Sequence, residues 1–253
     1  MSDVSTLLSP QMIQDFHEQG FVHVKQVFSP DEMDQIDAAF ERLYALSQKV
    51  SQPGEDESVI HEGSKFTYGK GGQFVRHIAF CGNAEPALLI FGRDPKLLAI
   101  ASALLGSREM DHLINQAHYK RPGSAITFDW HQDCQHRGIN TGGFEDINGK
   151  GSYVQMALAI DDATANNGPL EFIAGSNKQG NLGPKPAEKA DMSKRVAPLI
   201  KRGDVAAFGP FTIHGSEANL SDKSRRVFIN GFAYPGANHK DYKLPHSGER
   251  VSV

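Results

Sequence analysis

The chain has 253 residues, of which 39% are hydrophobic and 22% charged, and its formal net charge is −4. This length and composition are those of an ordinary globular protein with a sizeable core. Without a global excess of basic residues the chain has no field that would recruit nucleic acid or anionic lipid, which favours a small-molecule partner.

The chain also lacks the signals of a membrane or secreted protein. No apolar run approaches the roughly 18 residues needed to span a bilayer, and the segment MSDVSTLLSPQ lacks the basic-then-apolar order of a signal peptide. Cys81 and Cys134 have no CxxC spacing, so neither a disulfide framework nor a thiolate zinc site is predicted. We therefore expect a cytoplasmic protein with no nucleic-acid and no membrane partner.

Two helices are predicted near the start of the chain. In Ser9-Pro10 and in Ser29-Pro30 a serine N-cap precedes a proline at the first helical position, and Glu32 completes a capping box with Ser29. Apolar residues then recur at spacings of three and four over residues 33–44, which is typical of an amphipathic helix. Residues 51–73 are polar and glycine-rich, and predict a long loop with a short strand.

A third helix is predicted over residues 96–105, and short strands follow it. These strands are predicted at 112–120, 125–130, 152–160, 169–173, 204–208 and 226–234. Helices first and strands second favour an α+β chain. We expect one domain over residues 1–253, with a helical N-terminal part at about 9–106 and a jelly-roll core at about 107–235. The core would be a double-stranded β-helix, a cupin-like barrel with flanking N-terminal helices.

One strand carries a candidate pair of metal ligands. His131 and Asp133 are two residues apart in FDWHQDC, so both side chains are predicted to leave the same face of the strand. His214 follows a later apolar segment. Two imidazoles and one carboxylate form the facial triad of iron(II) oxygenases, which leaves metal positions open for a co-substrate and dioxygen. The HxD pair alone is a weak pattern, and the third ligand strengthens it.

Arg225 precedes the next predicted strand. An arginine near the interior of a barrel would cost several kcal/mol unless an anion met it. A guanidinium pairs with a carboxylate in a bidentate fork, and this suits the distal carboxylate of 2-oxoglutarate.

Four segments together give the chain a family resemblance. They are WHQD at 130–133, NNGPLEFIAGSNKQG at 166–180, IHGSEAN at 213–219, and Arg225. With these motifs the sequence resembles the phytanoyl-CoA dioxygenase family of iron(II)- and 2-oxoglutarate-dependent oxygenases, which includes ectoine hydroxylase. The resemblance implies a dioxygenase that hydroxylates a C–H bond and releases succinate and carbon dioxide.

The resemblance also implies individual roles. The metal ligands would be His131, Asp133 and His214, and the residues that bind 2-oxoglutarate would be Arg225, Ser216, Gln116 and Gln155. Related halogenases have a small residue at the position of Asp133, so the carboxylate argues for hydroxylation.

The substrate is less well defined by the sequence. By strand alternation His118 and Lys120 share the face of Gln116, while His136 and Arg137 directly follow the metal strand. These four residues would suit a small polar, anionic metabolite such as a carboxylate or phosphonate. The turn at 167–169 is predicted to be scaffold. Six histidines without a partner spacing are predicted to be surface or core residues and not ligands: His17, His23, His61, His77, His239 and His246.

Two other functions remain open at this stage. The first is a cupin-type metalloenzyme that does not use 2-oxoglutarate, although such enzymes rely on additional histidines and have no use for Arg225. The second is a non-catalytic binding protein on the same fold, against which the complete set of candidate ligands argues.

Overall fold

The computed structural model of the protein describes residues 7–51, 58–69 and 74–253. The helices are α1 (Pro10–Gln19), α2 (Pro30–Val50), α3 (Cys81–Ala84), α4 (Pro86–Gly92), α5 (Pro95–Leu105) and α6 (Asp133–Arg137). The strands are β1 (Phe21–Val24), β2 (Ser58–His61), β3 (Ser64–Tyr68), β4 (Val75–Ala79), β5 (Glu109–Lys120), β6 (Phe128–His131), β7 (Tyr153–Ala159), β8 (Glu171–Ile173), β9 (Arg195–Val196), β10 (Val205–Phe208), β11 (His214–Ser216), β12 (Arg225–Ala233) and β13 (Glu249–Ser252). No helix in these ranges is both long and apolar enough to cross a bilayer. Residues 1–6, which belong to the segment predicted not to be a signal peptide, lie outside the described residues.

The three predicted helix starts are confirmed. The Ser9 hydroxyl accepts a hydrogen bond from the Met12 amide at the start of α1, and Ser29 and Glu32 form the expected capping box at the start of α2. Asp94 caps α5, which ends at Gly106 in a left-handed conformation. Caps of this kind satisfy amide groups that have no partner within the helix, so they fix where each helix begins.

The strands form two antiparallel sheets. The major sheet has the order β1-β10-β7-β12-β5-β4-β3-β2, with β13 also paired to β5, and the minor sheet has the order β6-β11-β8-β9. One cavity is lined by side chains from both sheets, so the sheets face each other across it. This is the double-stranded β-helix predicted from the sequence, and the predicted α+β class is confirmed.

Alternation along β12 separates the two faces of the major sheet. Val227 and Ile229 line the cavity between the sheets, whereas Phe228 and Phe232 belong to the apolar core on the helix side. Phe228 packs edge-on against Phe40 of α2, with ring centroids 5.9 Å apart. The helices therefore cover the outer face of the major sheet and leave its inner face to the site.

The N-terminal part is less helical than predicted. Strands β1 to β4 lie within it, and they extend the major sheet by pairing β1 with β10 and β4 with β5. Residues 58–69, predicted as part of a long loop, form the antiparallel pair β2–β3, while 52–57 and 70–73 lie outside the described residues. Strands of four or five residues are too short to show a clear periodicity of their own. That residues 1–253 form one domain stays a prediction.

Candidate metal centre and adjoining cavities

Three candidate ligands come together between the sheets. The distance from Asp133 Oδ1 is 3.8 Å to His131 Nε2 and 3.9 Å to His214 Nε2. All three ligand atoms lie within 4.8 Å of one another. The two histidines meet because β6 and β11 pair with His131 directly opposite His214, which is the position at which cross-strand side chains are closest.

The prediction that His131 and Asp133 lie on one strand is wrong. Strand β6 ends at His131, and Asp133 is the first residue of α6. Gln132 is still extended, so Asp133 nevertheless emerges on the side of His131. The Gln132 side chain points the other way and donates to the carbonyls of Phe211 and Gly180, which anchors this change of direction.

The hydrogen bonds of the two histidines favour the imidazole tautomer that a divalent cation requires. Nδ1 of His131 lies 2.6 Å from the Asp129 carbonyl and Nδ1 of His214 lies 3.0 Å from the Thr212 carbonyl. A carbonyl only accepts, so each Nδ1 carries the proton and each Nε2 has a free lone pair. Burial, and then the nearby His131, lowers the pKa of His214 to about 4.

Asp133 is the charged member of the cluster. Burial alone would raise its pKa, but the neighbouring His214, Arg137 and His131 outweigh burial and lower it. Its Oδ2 is buried without a hydrogen-bond partner among the described residues. A buried carboxylate oxygen without a partner, beside two imidazole lone pairs, fits a metal ion such as iron(II).

A second group of residues surrounds Ser216, which lines the same cavity as His131 and His214. Lys120 Nζ donates to Ser216 Oγ at 2.7 Å and also to the carbonyls of Ser216 and Glu217. Arg225 Nη2 donates to Ser216 Oγ at 3.2 Å and to the Gly168 carbonyl at 2.6 Å. The turn that contains Gly168, predicted to be scaffold, therefore also positions Arg225.

Lys120 and Arg225 are two buried basic residues that form no salt bridge in the described part of the chain. They are 1% and 5% exposed and stand directly opposite each other on β5 and β12, where like charges repel. Every acceptor that they reach among the described residues is an uncharged oxygen, and Arg225 Nε has no hydrogen-bond partner there. Burial lowers the pKa of Lys120 to about 6 and that of Arg225 to about 10. An anion is the missing partner of this arrangement.

The neighbouring Arg226 points to the opposite face of the sheet. Its guanidinium pairs with Asp161, Asp37 and Glu41, each at 2.7 Å. The two arginines therefore have different environments, since alternation along β12 sends one to the cavity and the other to helix α2.

Two adjoining cavities meet at the candidate ligands. The inner cavity, of about 70 Å³, is lined by residues that include Arg225, Ser216, His214 and Leu170. The outer cavity, of about 560 Å³, is the wider one. Both are lined by His131, His118, Phe128 and Gln155.

The remaining predicted residues divide between these cavities. Gln155 faces both, and its Oε1 accepts a hydrogen bond from the Tyr153 hydroxyl at 2.6 Å, which leaves its amide N–H groups free. Gln116 lines the outer cavity, as do His136 and Arg137. Lys120 was predicted to contact substrate, but its position beside Ser216 places it with the residues predicted to bind 2-oxoglutarate.

Arg137 lies in helix α6, although it was predicted to be in a loop. It is 6% exposed, lies over the rings of Tyr153 and Tyr242, and donates to the Tyr242 hydroxyl at 3.0 Å. His136 packs edge-on against His131, with ring centroids 5.2 Å apart. Both residues therefore border the metal ligands, as the sequence predicts.

Sequence reasoning missed several residues of the outer cavity. Strand β3 contributes Lys65, and β4 contributes Arg76 and His77. The segment after β12 contributes Lys240 and Tyr242. His77, predicted to be a surface or core residue and not a ligand, lines this cavity and stacks on His118 with ring centroids 5.4 Å apart. No spacing signal links these residues to His131, because strand pairing alone brings them together.

Comparisons with known proteins agree with this geometry. Residues 16–227 match the sequence profile of the phytanoyl-CoA dioxygenase (PhyH) family. The chain is 25% identical to the ectoine dioxygenase of Bordetella bronchiseptica over 246 residues, which cover 88% of this chain and 74% of that protein. It is 29% identical to the 2-aminoethylphosphonate dioxygenase of an uncultured bacterium over 147 residues, 53% of this chain and 52% of that one.

A solved structure has the same fold. EctD from S. alaskensis, crystallised with 2-oxoglutarate and 5-hydroxyectoine, superposes with a TM-score of 0.73 at 22% identity, covering 94% of this chain and 79% of that one. The family match spans most of the sequence and includes every segment on which the predicted resemblance rests. The chain belongs to the phytanoyl-CoA dioxygenase family.

Proposed function

We propose that the protein is an iron(II)- and 2-oxoglutarate-dependent dioxygenase that hydroxylates a C–H bond of a small anionic metabolite. The observation that carries the proposal is the pair of opposed, buried basic residues, Lys120 and Arg225. Both donate to Ser216, which lines the inner cavity together with His131 and His214. A metalloenzyme without an anionic co-substrate would have no use for two cations there.

His131, Asp133 and His214 would hold iron(II) as one carboxylate and two neutral imidazoles. The carbonyls of Asp129 and Thr212 keep the two imidazoles in the tautomer that ligation needs. When bound, iron(II) and 2-oxoglutarate supply the activation of dioxygen, with succinate and carbon dioxide as the products of the co-substrate.

Arg225, Lys120 and the Ser216 hydroxyl would bind the distal carboxylate of 2-oxoglutarate. Both cations donate to Ser216 Oγ, so the three groups already converge on one point. Preorganised donors of this kind lose little entropy when the anion binds. Gln155 would donate its free amide N–H groups to the co-substrate, and Gln116 would keep His118 in place, since the two side chains are 3.0 Å apart.

An anionic substrate is favoured by the charge of the outer cavity. Lys65, Arg76, Arg137 and Lys240 line it, and Asp133 is the only acidic residue among its described lining residues. Such a concentration of positive charge raises the local concentration of anions and orients them. The partial similarity to a protein named for a phosphonate substrate is consistent with this class.

Succinate formation tests the proposal directly. Iron(II)-loaded protein would be incubated with 2-oxoglutarate, dioxygen and a panel of carboxylates, phosphonates and neutral metabolites. We expect an anionic compound to raise succinate release well above the rate without substrate. Absence of 2-oxoglutarate binding would contradict the proposed co-substrate, and stimulation by neutral compounds alone would contradict the proposed substrate class.

Binding of 2-oxoglutarate is expected to take up close to one proton at pH 8. Burial and the charge of Arg225 lower the pKa of Lys120 to about 6, so its amine is largely neutral at pH 8 before the co-substrate binds. A carboxylate beside the amine favours the charged form, so affinity should fall as the pH rises above about 6. Calorimetry in buffers of different ionisation enthalpy measures the uptake. The Lys120→Met variant should bind 2-oxoglutarate more weakly than the wild type and without proton uptake. An unchanged proton uptake in that variant would contradict the assignment of Lys120 to the co-substrate.

A further inference from the structure

The outer cavity contains a cation that the functions above leave unassigned. Arg76 lies on β4, which pairs with β3 on one side and with β5 on the other. Its partner residues in β3 shift register, since Thr67 pairs with His77 and Tyr68 with Val75, so Arg76 has no opposite residue. A bulge of this kind turns an extra side chain toward one face. As a result both Arg76 and His77 line the outer cavity.

The Arg76 guanidinium packs on an aromatic ring and forms no hydrogen bond with the described part of the chain. Its Cζ lies 4.5 Å from the centroid of the Phe128 ring, and its Nε is buried with no partner in the described part of the chain. Stacking on the ring restrains the plane of the guanidinium and leaves its N–H edge for a ligand. Phe128 begins the strand that ends at His131, so the stack links Arg76 to the candidate metal centre.

The lining of the outer cavity carries more positive charge than one carboxylate would balance. Lys65, Arg76, Arg137 and Lys240 are contributed by four separate parts of the chain, and Asp133 is already assigned to the metal. The hydrogen bonds of Lys240 and Arg137 in the described structure go to the carbonyl of His136 and the hydroxyl of Tyr242, which are uncharged. A guanidinium fork matches the oxygens of a phosphoryl or phosphonyl group, whose double charge suits several cations better than a carboxylate does.

We propose that Arg76 determines substrate specificity by binding a doubly charged oxyanion head group, a phosphonate or phosphate, in the outer cavity. The proposal rests on the proposed function, because the C–H bond to be oxidised would lie between that head group and the metal. Arg225 lines the inner cavity and Lys120 donates to Ser216 in its wall, whereas Arg76 lines the outer cavity alone, so we assign Arg76 to the substrate and not to the co-substrate.

Ligand-observed NMR with methylphosphonate and acetate at pH 8 tests the inference. The titrations use iron(II)-loaded protein with saturating 2-oxoglutarate under anaerobic conditions. We expect methylphosphonate to bind several-fold more tightly than acetate, and Arg76→Gln to weaken methylphosphonate binding by about tenfold or more, as for loss of a charge-assisted hydrogen bond. Arg202→Gln is the matched control, because Arg202 is a surface arginine paired with Asp34.

The variants separate the outcomes. Arg76→Lys keeps the positive charge but not the two-pronged guanidinium, so it should bind methylphosphonate with intermediate affinity. This variant replaces Arg76→Gln if Arg76→Gln does not fold. Unchanged methylphosphonate affinity in the folded Arg76 variants would overturn the role of Arg76, and equal affinities for acetate and methylphosphonate would overturn the doubly charged head group. An anion bound to iron alone would not respond to Arg76. Titration of 2-oxoglutarate into the same variants tests the proposed function separately. Because Arg76 is not assigned to the co-substrate, the affinity for 2-oxoglutarate should not change.

Discussion

Replacement of His131, Asp133 or His214 by alanine is expected to abolish turnover. Each side chain supplies one of three clustered ligand atoms, and no fourth His, Cys, Asp or Glu in the described ranges joins the cluster to replace a lost one. Changes to residues that only support a ligand already reduce metal affinity or activity by about 10- to 100-fold, so loss of a ligand itself should exceed that. Wild-type protein should bind close to one iron(II), and each variant much less. Metal analysis and succinate release measure the two effects.

The control for these variants is a histidine outside the cavities. His61 lies on β2 with 40% of its side chain exposed, so His61→Ala should retain iron and activity. Asp133→Ala should also remain folded without metal, because it removes a buried carboxylate oxygen that has no hydrogen-bond partner in the described structure. Full turnover by any of the three ligand variants would show that the residue is not a ligand.

Arg225→Ala is expected to raise the KM for 2-oxoglutarate by about tenfold or more. Hydrogen bonds to a charged group contribute roughly 1.5–3 kcal/mol, and about 1.4 kcal/mol corresponds to tenfold in affinity. The buried Lys120 remains and would still attract the co-substrate, so binding should be weakened and not lost. Arg225→Lys should lie between, because an ammonium group cannot form the bidentate fork. Steady-state kinetics at varied 2-oxoglutarate concentration measures the effect.

The adjacent arginine gives a matched control. Arg226 pairs with Asp161, Asp37 and Glu41 on the helix side of the sheet, so Arg226→Ala should lower the melting temperature and leave the KM for 2-oxoglutarate unchanged. The opposite result, a raised KM in Arg226→Ala and an unchanged one in Arg225→Ala, would mean that the inward-facing arginine had been misassigned.

The sequence by itself determined the local elements and the nature of the chemistry. Serine or aspartate caps followed by proline located α1, α2 and α5, because capping depends on residues within one helical turn. The motif residues His131, Asp133 and His214 indicated a metal site, since few arrangements of two histidines and a carboxylate have another use. Arg225 indicated an anion, because a buried guanidinium requires a partner.

Only the tertiary structure decided how these residues meet. The pairing of β6 with β11 places His131 opposite His214, and the pairing of β5 with β12 places Lys120 opposite Arg225. Strand register depends on contacts between segments far apart in the chain, so no local pattern assigns Lys120 to the co-substrate end of the cavity. The bulge that turns Arg76 into the outer cavity is likewise a property of two paired strands. Ligand types could therefore be predicted from residue identity, whereas their partners depend on a register that only the folded chain fixes.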